Sequence, residues 1–162
     1  MNRYIPLRNP GSVLSILSSI SFLGGVSDTQ RDKIFCRLEV GQFKQGECVS
    51  QHGEAAEHIY IITKGKIDLL LTDNNIEVRK RDFNVGDCFG EAAFLAMNND
   101  TASFMAAEDC ELVVLSRQSL NQLRHEEPEL FSTLIMNIAR ELARKLQYTD
   151  NILLQYQHER GS

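Results

Sequence analysis

Between Glu39 and Leu115 the chain is cut at short, regular intervals by turn-forming residues, and this punctuation leaves few folds open. The breaks fall at Gly46, Gly53, Lys64-Gly65, Asp73-Asn74-Asn75, Val85-Gly86-Asp87, Asn98-Asn99-Asp100 and Glu108-Asp109. Between them lie eight runs rich in β-branched or aromatic residues: Val40–Phe43, Cys48–Ser50, His58–Thr63, Lys66–Thr72, Ile76–Phe83, Cys88–Phe89, Ser103–Ala107 and Leu112–Leu115. Turns spaced by roughly 8–12 residues between such runs predict a closed or rolled antiparallel β structure. One stretch breaks the pattern. Glu91–Met97 contains helix formers throughout and is long enough for two helical turns.

Both flanks read as helical. In Ser27-Asp28-Thr29-Gln30 the serine is placed to cap exposed amides and the glutamine to reach back, a capping box. The helix that follows is predicted to run to about Leu38, with Ile34, Phe35 and Leu38 inward. Ahead of it, Arg3 and Arg8 precede an apolar stretch that resembles a signal peptide, but Ser15, Ser18, Ser19 and Ser21 interrupt it and no small-residue cleavage site follows. A short amphipathic helix with Val13, Leu17 and Ile20 on one face is the expected reading. After Leu115, Ser116 caps a short helix containing Leu120 and Leu123, and Pro128 opens a long one, with Glu126, Glu127 and Glu129 suited to its positive end. Along this helix Phe131, Ile135, Ile138, Leu142, Leu146, Thr149, Leu153 and Tyr156 recur at spacings of 3 or 4, nearly a coiled-coil seam. The expected division is an N-terminal helical segment over 1–26, a β-roll over 27–127 and a long helix over 128–160. The stripe either packs on its own roll or pairs with a second copy through 128–156; Leu153 and Tyr156 lie beyond the reach of a compact roll, which favours a homodimer.

Composition removes several function classes. The 162 residues carry 17 Lys+Arg against 22 Asp+Glu, a net charge of −5, so a uniformly basic nucleic-acid surface is not expected. Pro128–Ser162 holds 4 basic and 4 acidic residues, which offers DNA no electrostatic footprint. Trp is absent and aromatics are sparse, which argues against a single-strand stacking platform. No apolar run approaches the roughly 18 residues a membrane helix needs. Cys36, Cys48, Cys88 and Cys110 show no metal-ligand spacing, and buried, reduced thiols in a cytoplasmic protein are expected. His52, His58, His125 and His158 are scattered, and no nucleophile–base order suggests an enzyme. Arg79-Lys80-Arg81 reads as a solvated strand face, or as a group that reaches a ligand phosphate from one side.

The segment that carries chemistry is Phe83-Asn84-Val85-Gly86-Asp87-Cys88-Phe89-Gly90-Glu91-Ala92-Ala93. A strand ends at Gly90 and a helix starts at once with small residues, so Gly90 lets a ligand approach the backbone and the amides of Ala92 and Ala93 point outward from a helix start. Glu91 stands beside them as an acceptor suited to a sugar hydroxyl. A ligand with both a phosphate and a ribose would satisfy both features. Alternatively, Gly90 serves only the tight turn and Glu91 satisfies local amides.

With these residues the chain resembles the cyclic nucleotide-binding domain family. The resemblance rests on Phe43-x-x-Gly46-Glu47, Gly53 and Tyr60-Ile61-Ile62-x-x-Gly65-x-Ile67; on Phe83-x-x-Gly86-Asp87-x-Phe89-Gly90-Glu91-x-Ala93; and on Cys110-Glu111-Leu112 leading through a short helix and Pro128 into the long one. It implies a mainly β fold, an eight-stranded antiparallel β-roll of jelly-roll or cupin type with N-terminal helices and a long C-terminal helix. It also implies a ligand site at Phe89, Gly90, Glu91, Ala92, Ala93, Thr101 and Ala102, with Glu91 accepting from the ribose 2′-hydroxyl and cyclic AMP or cyclic GMP as the ligand. A residue within 145–149 would cap the base. The family places an arginine for the phosphate about ten residues after this glutamate. Here Asp100 or Thr101 stands there, and no Lys or Arg occurs between Arg81 and Arg117. Losing a charge-assisted partner worth about 1.5–3 kcal/mol per bond weakens phosphate binding by roughly one to three decades.

The expected function is a non-enzymatic regulatory module that binds a cyclic nucleotide or related small anionic ligand weakly or atypically and signals through the long helix. Two alternatives stay open: a dimeric scaffold that binds no nucleotide, and the sensor part of a transcription regulator without its helix-turn-helix.

Overall fold

The structure is a computed structural model that describes residues 3–73 and 76–160, without the side chains of 72–80. The expected turn at Asn74-Asn75 and the side chains of Arg79 and Lys80 lie outside that description.

The alternation of side chains along a strand explains why the central runs are apolar at every position. The strands β4 (His58–Lys64) and β9 (Cys110–Ser116) pair antiparallel with Ile59 opposite Leu115 and Ile61 opposite Val113. One face of this pair, Ile59, Ile61, Val113 and Leu115, is buried under the helices; the other, Tyr60, Ile62, Leu112 and Val114, is buried inside the roll. Two cores therefore share one pair of strands. In chain order the other strands are β1 (Ile5–Pro6), β2 (Glu39–Phe43), β3 (Cys48–Ser50), β5 (Ile67–Asp73), β6 (Ile76–Phe83), β7 (Cys88–Phe89) and β8 (Ser103–Ala106). They form two antiparallel sheets ordered β1-β2-β9-β4-β7 and β3-β8-β5-β6, the β-roll that the turn spacing predicts.

The β1 strand is an addition to the eight expected and lies within the segment read as helical. It pairs with β2, Ile5 opposite Val40, because Gly41 leaves room for the buried ring of Tyr4: a Cβ there would meet that ring at 2.8 Å. The Tyr4 and Tyr60 hydroxyls are 3.1 Å apart, which ties the N-terminal strand to the roll interior.

The helices are α1 (Leu14–Ser19), α2 (Asp28–Phe35), α3 (Glu91–Ala96), α4 (Arg117–Glu126) and α5 (Pro128–Arg160). The Ser27/Gln30 capping box is present, and Ser116 caps α4. The α2 helix stops at Phe35, short of the expected Leu38, although Leu38 is still buried. Cys36 is exposed rather than buried, because it occupies the helix end, where its thiol donates to the Lys33 carbonyl at 3.2 Å. Val13, Leu17 and Ile20 are all buried, as the amphipathic reading requires. Among the described residues no helix is long and apolar enough to cross a membrane.

The α5 helix has 33 residues, about 50 Å at 1.5 Å per residue, and only its first half is packed. The expected stripe needs correction. The fully buried positions are Leu130, Leu134, Asn137 and Ile138, with Phe131, Ile135 and Leu142 flanking them. The helix rests on a broad bed of neighbours, including Leu17, Phe22 and Leu123, so its buried face is wider than a two-helix seam. Beyond it Leu146, Leu153 and Tyr156 are each more than half exposed. Asn137 anchors the packed half: its amide donates to the carbonyls of Phe22 at 3.0 Å and Gly24 at 2.7 Å. Asn137→Ala leaves both carbonyls without this donor, and its expected cost is about 1–3 kcal/mol by equilibrium urea unfolding. Met136→Ala, one position away on the exposed side, is expected to stay within about 0.5 kcal/mol of the parent.

Candidate functional site

The β7 strand pairs with β4 through Tyr60–Phe89 and Ile61–Cys88, and the chain then turns directly into α3 at Gly90. Gly90 has φ 85°, and a Cβ there would meet the His58 carbonyl at 2.9 Å and the Tyr60 ring at 3.3 Å. Glycine is required on both counts. The corner delivers the first-turn amides of Glu91, Ala92 and Ala93, which have no acceptor within their own helix; the first intrahelical bond runs from Phe94 to the Gly90 carbonyl at 3.1 Å. The far end of α3 is held by Arg117, which donates to the carbonyls of Ala56 at 2.6 Å and Phe94 at 2.9 Å while lying 4.2 Å over the Phe94 ring. The helix start is thus fixed from both sides.

Glu91 is buried at 4% exposure, and its partner comes from α5. The Lys145 ammonium donates to Glu91 Oε1 and, at 2.8 Å, to the Cys88 carbonyl. A carboxylate expected to wait for a sugar hydroxyl is therefore already engaged by the long helix. The pattern could have indicated this. Ile138, Leu142 and Lys145 follow the 4-then-3 spacing of one helix face, so a lysine sits where the stripe calls for an apolar residue. Burial, reinforced by the Glu91 charge and opposed by Lys145, pushes the Cys88 thiol up to about 12, so it stays protonated.

The other expected residues separate into groups. Gly90, Glu91, Ala92 and Ala93 share the corner. Phe89 faces the roll interior, stacked between Tyr60 at 4.9 Å and Phe104 at 4.6 Å. Thr101 is exposed, and Ala102 is buried in the core. Asp100, one residue before Thr101, is buried, and its carboxylate accepts from the Ser50 hydroxyl. Burial raises its pKa and nearby Glu54 adds to this, while the Ser50 hydrogen bond opposes them. Arg81 is exposed, 4.8 Å over the Phe83 ring and 5.9 Å from the Tyr148 ring of α5.

A cavity of about 230 Å³ adjoins the corner, lined by Ser21, Arg81, Phe83, Cys88, Glu141 and Lys145 among others; Glu91 is not part of its lining. A larger one of about 440 Å³, bounded by Phe43, Lys44, Lys64, Asp109 and Cys110, lies at the turn end of the roll. Its lysines and carboxylates are mixed, with Lys44 and Asp109 paired at 2.9 Å, so it presents no single-sign ligand field. Among the described residues no cluster of His, Cys, Asp and Glu could hold a metal ion.

Comparison with known proteins bears on the same segment. The sequence pattern described as "Cyclic nucleotide-binding domain" matches residues 40–127, which includes every strand from β3 to β9 and all of α3. The cGMP-dependent protein kinase of Toxoplasma gondii is 28% identical over 116 residues, 72% of this chain and 11% of the kinase. The chain spans 11–18% of the length of the curated relatives it matches. A cyclic nucleotide-binding domain from Methylobacillus flagellatus superposes with a TM-score of 0.82 at 18% identity, covering 94% of this chain and 88% of that one. The regulatory subunit of a cAMP-independent protein kinase A from Trypanosoma cruzi, bound to guanosine, superposes with a TM-score of 0.72 at 23% identity, covering 93% and 52%. With more than half of its residues matched and the corner built as described, the chain belongs to the cyclic nucleotide-binding domain family.

Proposed function

We propose that this chain is a non-catalytic sensor whose corner at Gly90–Ala93 takes a ribose-bearing ligand and whose α5 helix reports its arrival. One observation carries the reading: Lys145 on α5 is bonded to Glu91 and to the Cys88 carbonyl, so the signalling helix and the sugar acceptor are in direct contact. A ligand changes a two-state element only through unequal interaction with its two states, and an event at Glu91 acts on α5 without an intermediary.

The ligand chemistry follows from charge. At the corner the donors are backbone amides and Lys145, which is already paired with Glu91, and the position expected to hold a phosphate-binding arginine is taken by buried Asp100 and exposed Thr101. An ionised Asp100 repels a phosphate, while a protonated one offers a neutral donor. A nucleoside has the ribose hydroxyls and no phosphate, and the Trypanosoma cruzi neighbour is bound to guanosine. These features support a nucleoside as the preferred ligand, with cyclic AMP or cyclic GMP bound more weakly. A second reading is supported by the burial of Glu91 under Lys145 and by the exposed apolar side chains of distal α5: a scaffold without ligand that pairs with its copy through 128–156.

Isothermal titration calorimetry separates these readings. Guanosine is expected to bind at least ten-fold more tightly than cyclic GMP, and Glu91→Ala to cost at least ten-fold. Thr101→Arg is expected to strengthen cyclic GMP binding at least ten-fold while leaving guanosine within three-fold. No heat from guanosine, cyclic AMP or cyclic GMP at millimolar concentration, in the parent or in Lys145→Met, ends the ligand reading in favour of the scaffold.

Asp100 yields a separate prediction. Because burial raises its pKa, the folded state holds the proton more tightly than the unfolded chain, whose carboxyl titrates near about 3.9. Its contribution is complete below that value and is lost as the pH rises through the higher folded pKa. Asp100→Asn removes this loss, so its melting temperature is expected to exceed the parent's at pH 7, the gap closing toward pH 3 in scanning calorimetry.

A further inference from the structure

We infer that Arg117 is the positioning residue of the corner: through the last turn of α3 it sets where the Glu91 carboxylate stands. This rests on the reading of Glu91 as the acceptor for a ligand hydroxyl and adds what holds that acceptor in place. Both ends of α3 are referred to one point on the sheet, the first residue of β4. At the start, Gly90 lies against the His58 carbonyl, which a Cβ there would meet at 2.9 Å. At the end stands Arg117, which directly follows β9, and the last residue of β9, Ser116, is paired with His58. The Arg117 amide also donates to the Glu57 carbonyl at 2.9 Å, so its side chain starts from the sheet rather than from a loose connection.

The helix needs this tie. With six residues, α3 is shorter than a helix that persists through its own hydrogen bonds. It ends at Met97 with φ 55°, the only non-glycine residue with a positive φ among the described residues, a conformation that is unfavourable for a side chain. The Phe94 carbonyl in its last turn accepts from the Met97 amide at 3.4 Å and more closely from Arg117 at 2.9 Å. The same guanidinium nitrogen donates to the Ala56 carbonyl at 2.6 Å, while Nε lies 3.5 Å from Glu57 Oε2. The guanidinium also covers the Phe94 ring at 4.2 Å, and Phe94 is 1% exposed, so arginine and helix grip one buried ring. A cation at this place suits the negative end of the helix. Lysine has no planar group that lies on the ring while bridging two carbonyls. Loss of the guanidinium frees the end of α3, and Glu91, one turn before Phe94, moves with it.

The test uses the full chain with Arg117→Met, Arg117→Lys and, as a control away from the corner, Ser27→Ala, which removes the α2 cap. Without ligand, hydrogen exchange by mass spectrometry is expected to show amides in 94–98 exchanging at least ten-fold faster in Arg117→Met and at least three-fold faster in Arg117→Lys. Amides in 59–62 of β4 stay within two-fold of the parent in both, and Ser27→Ala leaves 94–98 within two-fold. In calorimetry with guanosine and cyclic GMP as probes, Arg117→Met is expected to bind at least ten-fold more weakly than the parent. Arg117→Lys is expected to bind at least three-fold more weakly at a urea midpoint near the parent's, a split between affinity and stability that a purely structural residue does not produce. Arg117→Lys keeps the charge and carries both measurements if Arg117→Met does not fold. Unchanged exchange in 94–98, or probe binding that falls only in step with the urea midpoint across the three variants, overturns the assignment. Faster exchange confined to 94–98 with no probe bound by the parent or any variant supports the positioning and overturns instead the ligand reading on which its consequence rests.

Discussion

The geometry of the site depends on how closely β7 can pass β4 before the chain turns. At Gly90 the backbone lies against the His58 carbonyl and the Tyr60 ring, and its positive φ swings the next residues into α3 without a connecting loop. A side chain at this position would push the corner off the sheet, and Glu91 would no longer point toward α5. The packing below follows from the same constraint. Phe89 enters the roll between Tyr60 and Phe104, Tyr60 reaches Tyr4, and the N-terminal strand is thereby fastened to the element that carries the site.

Above the corner, two polar side chains set the position of α5. Asn137 joins the packed half of the helix to the backbone at Phe22 and Gly24, and Lys145 joins the next two turns to Cys88 and Glu91. These contacts differ in kind. Asn137, itself buried, satisfies the carbonyls of buried Phe22 and exposed Gly24 where the helix packs most tightly. Lys145 meets a charge at the edge of that burial. Stability is invested in the first half of α5 and adjustability in the second, as expected where an element must be anchored and also respond.

Most of the fold was legible because its signals are local. Turn residues, the Ser27 capping box, Ser116 and Pro128 each act within a few residues, and among the described residues Ser27 and Ser116 cap their helices and Pro128 opens α5 as expected. The β1 strand was not legible, since it depends on a Tyr4 ring meeting the absent side chain of Gly41. The buried face of α5 is wider than its sequence stripe: a 3-or-4 repeat identifies a stripe, but the breadth of the bed beneath it is a tertiary property. At the site, the glycine, the glutamate and the helix start were visible as a spacing pattern. The lysine was not, because its partner lies 54 residues away and the periodicity that places it there is the one usually read for apolar residues. Thr101 and Asp100 could not be told apart from sequence, since one residue of register decides which faces inward. Asp100 is the buried one.

The charge arrangement around Glu91 constrains what such a domain can sense. A ligand that replaced Lys145 with a second anion would leave two like charges in a buried site, with the amides of a two-turn helix and the exposed Arg81 of the adjoining cavity as the nearby compensation. A neutral hydroxyl can donate to Glu91 as the ammonium does, but it carries no charge, so a group that displaced Lys145 would leave the buried carboxylate hydrogen-bonded without its cation. The ion pair is therefore a constraint on the corner as much as a contact: what enters beside Glu91 must either keep Lys145 in place or supply positive charge of its own.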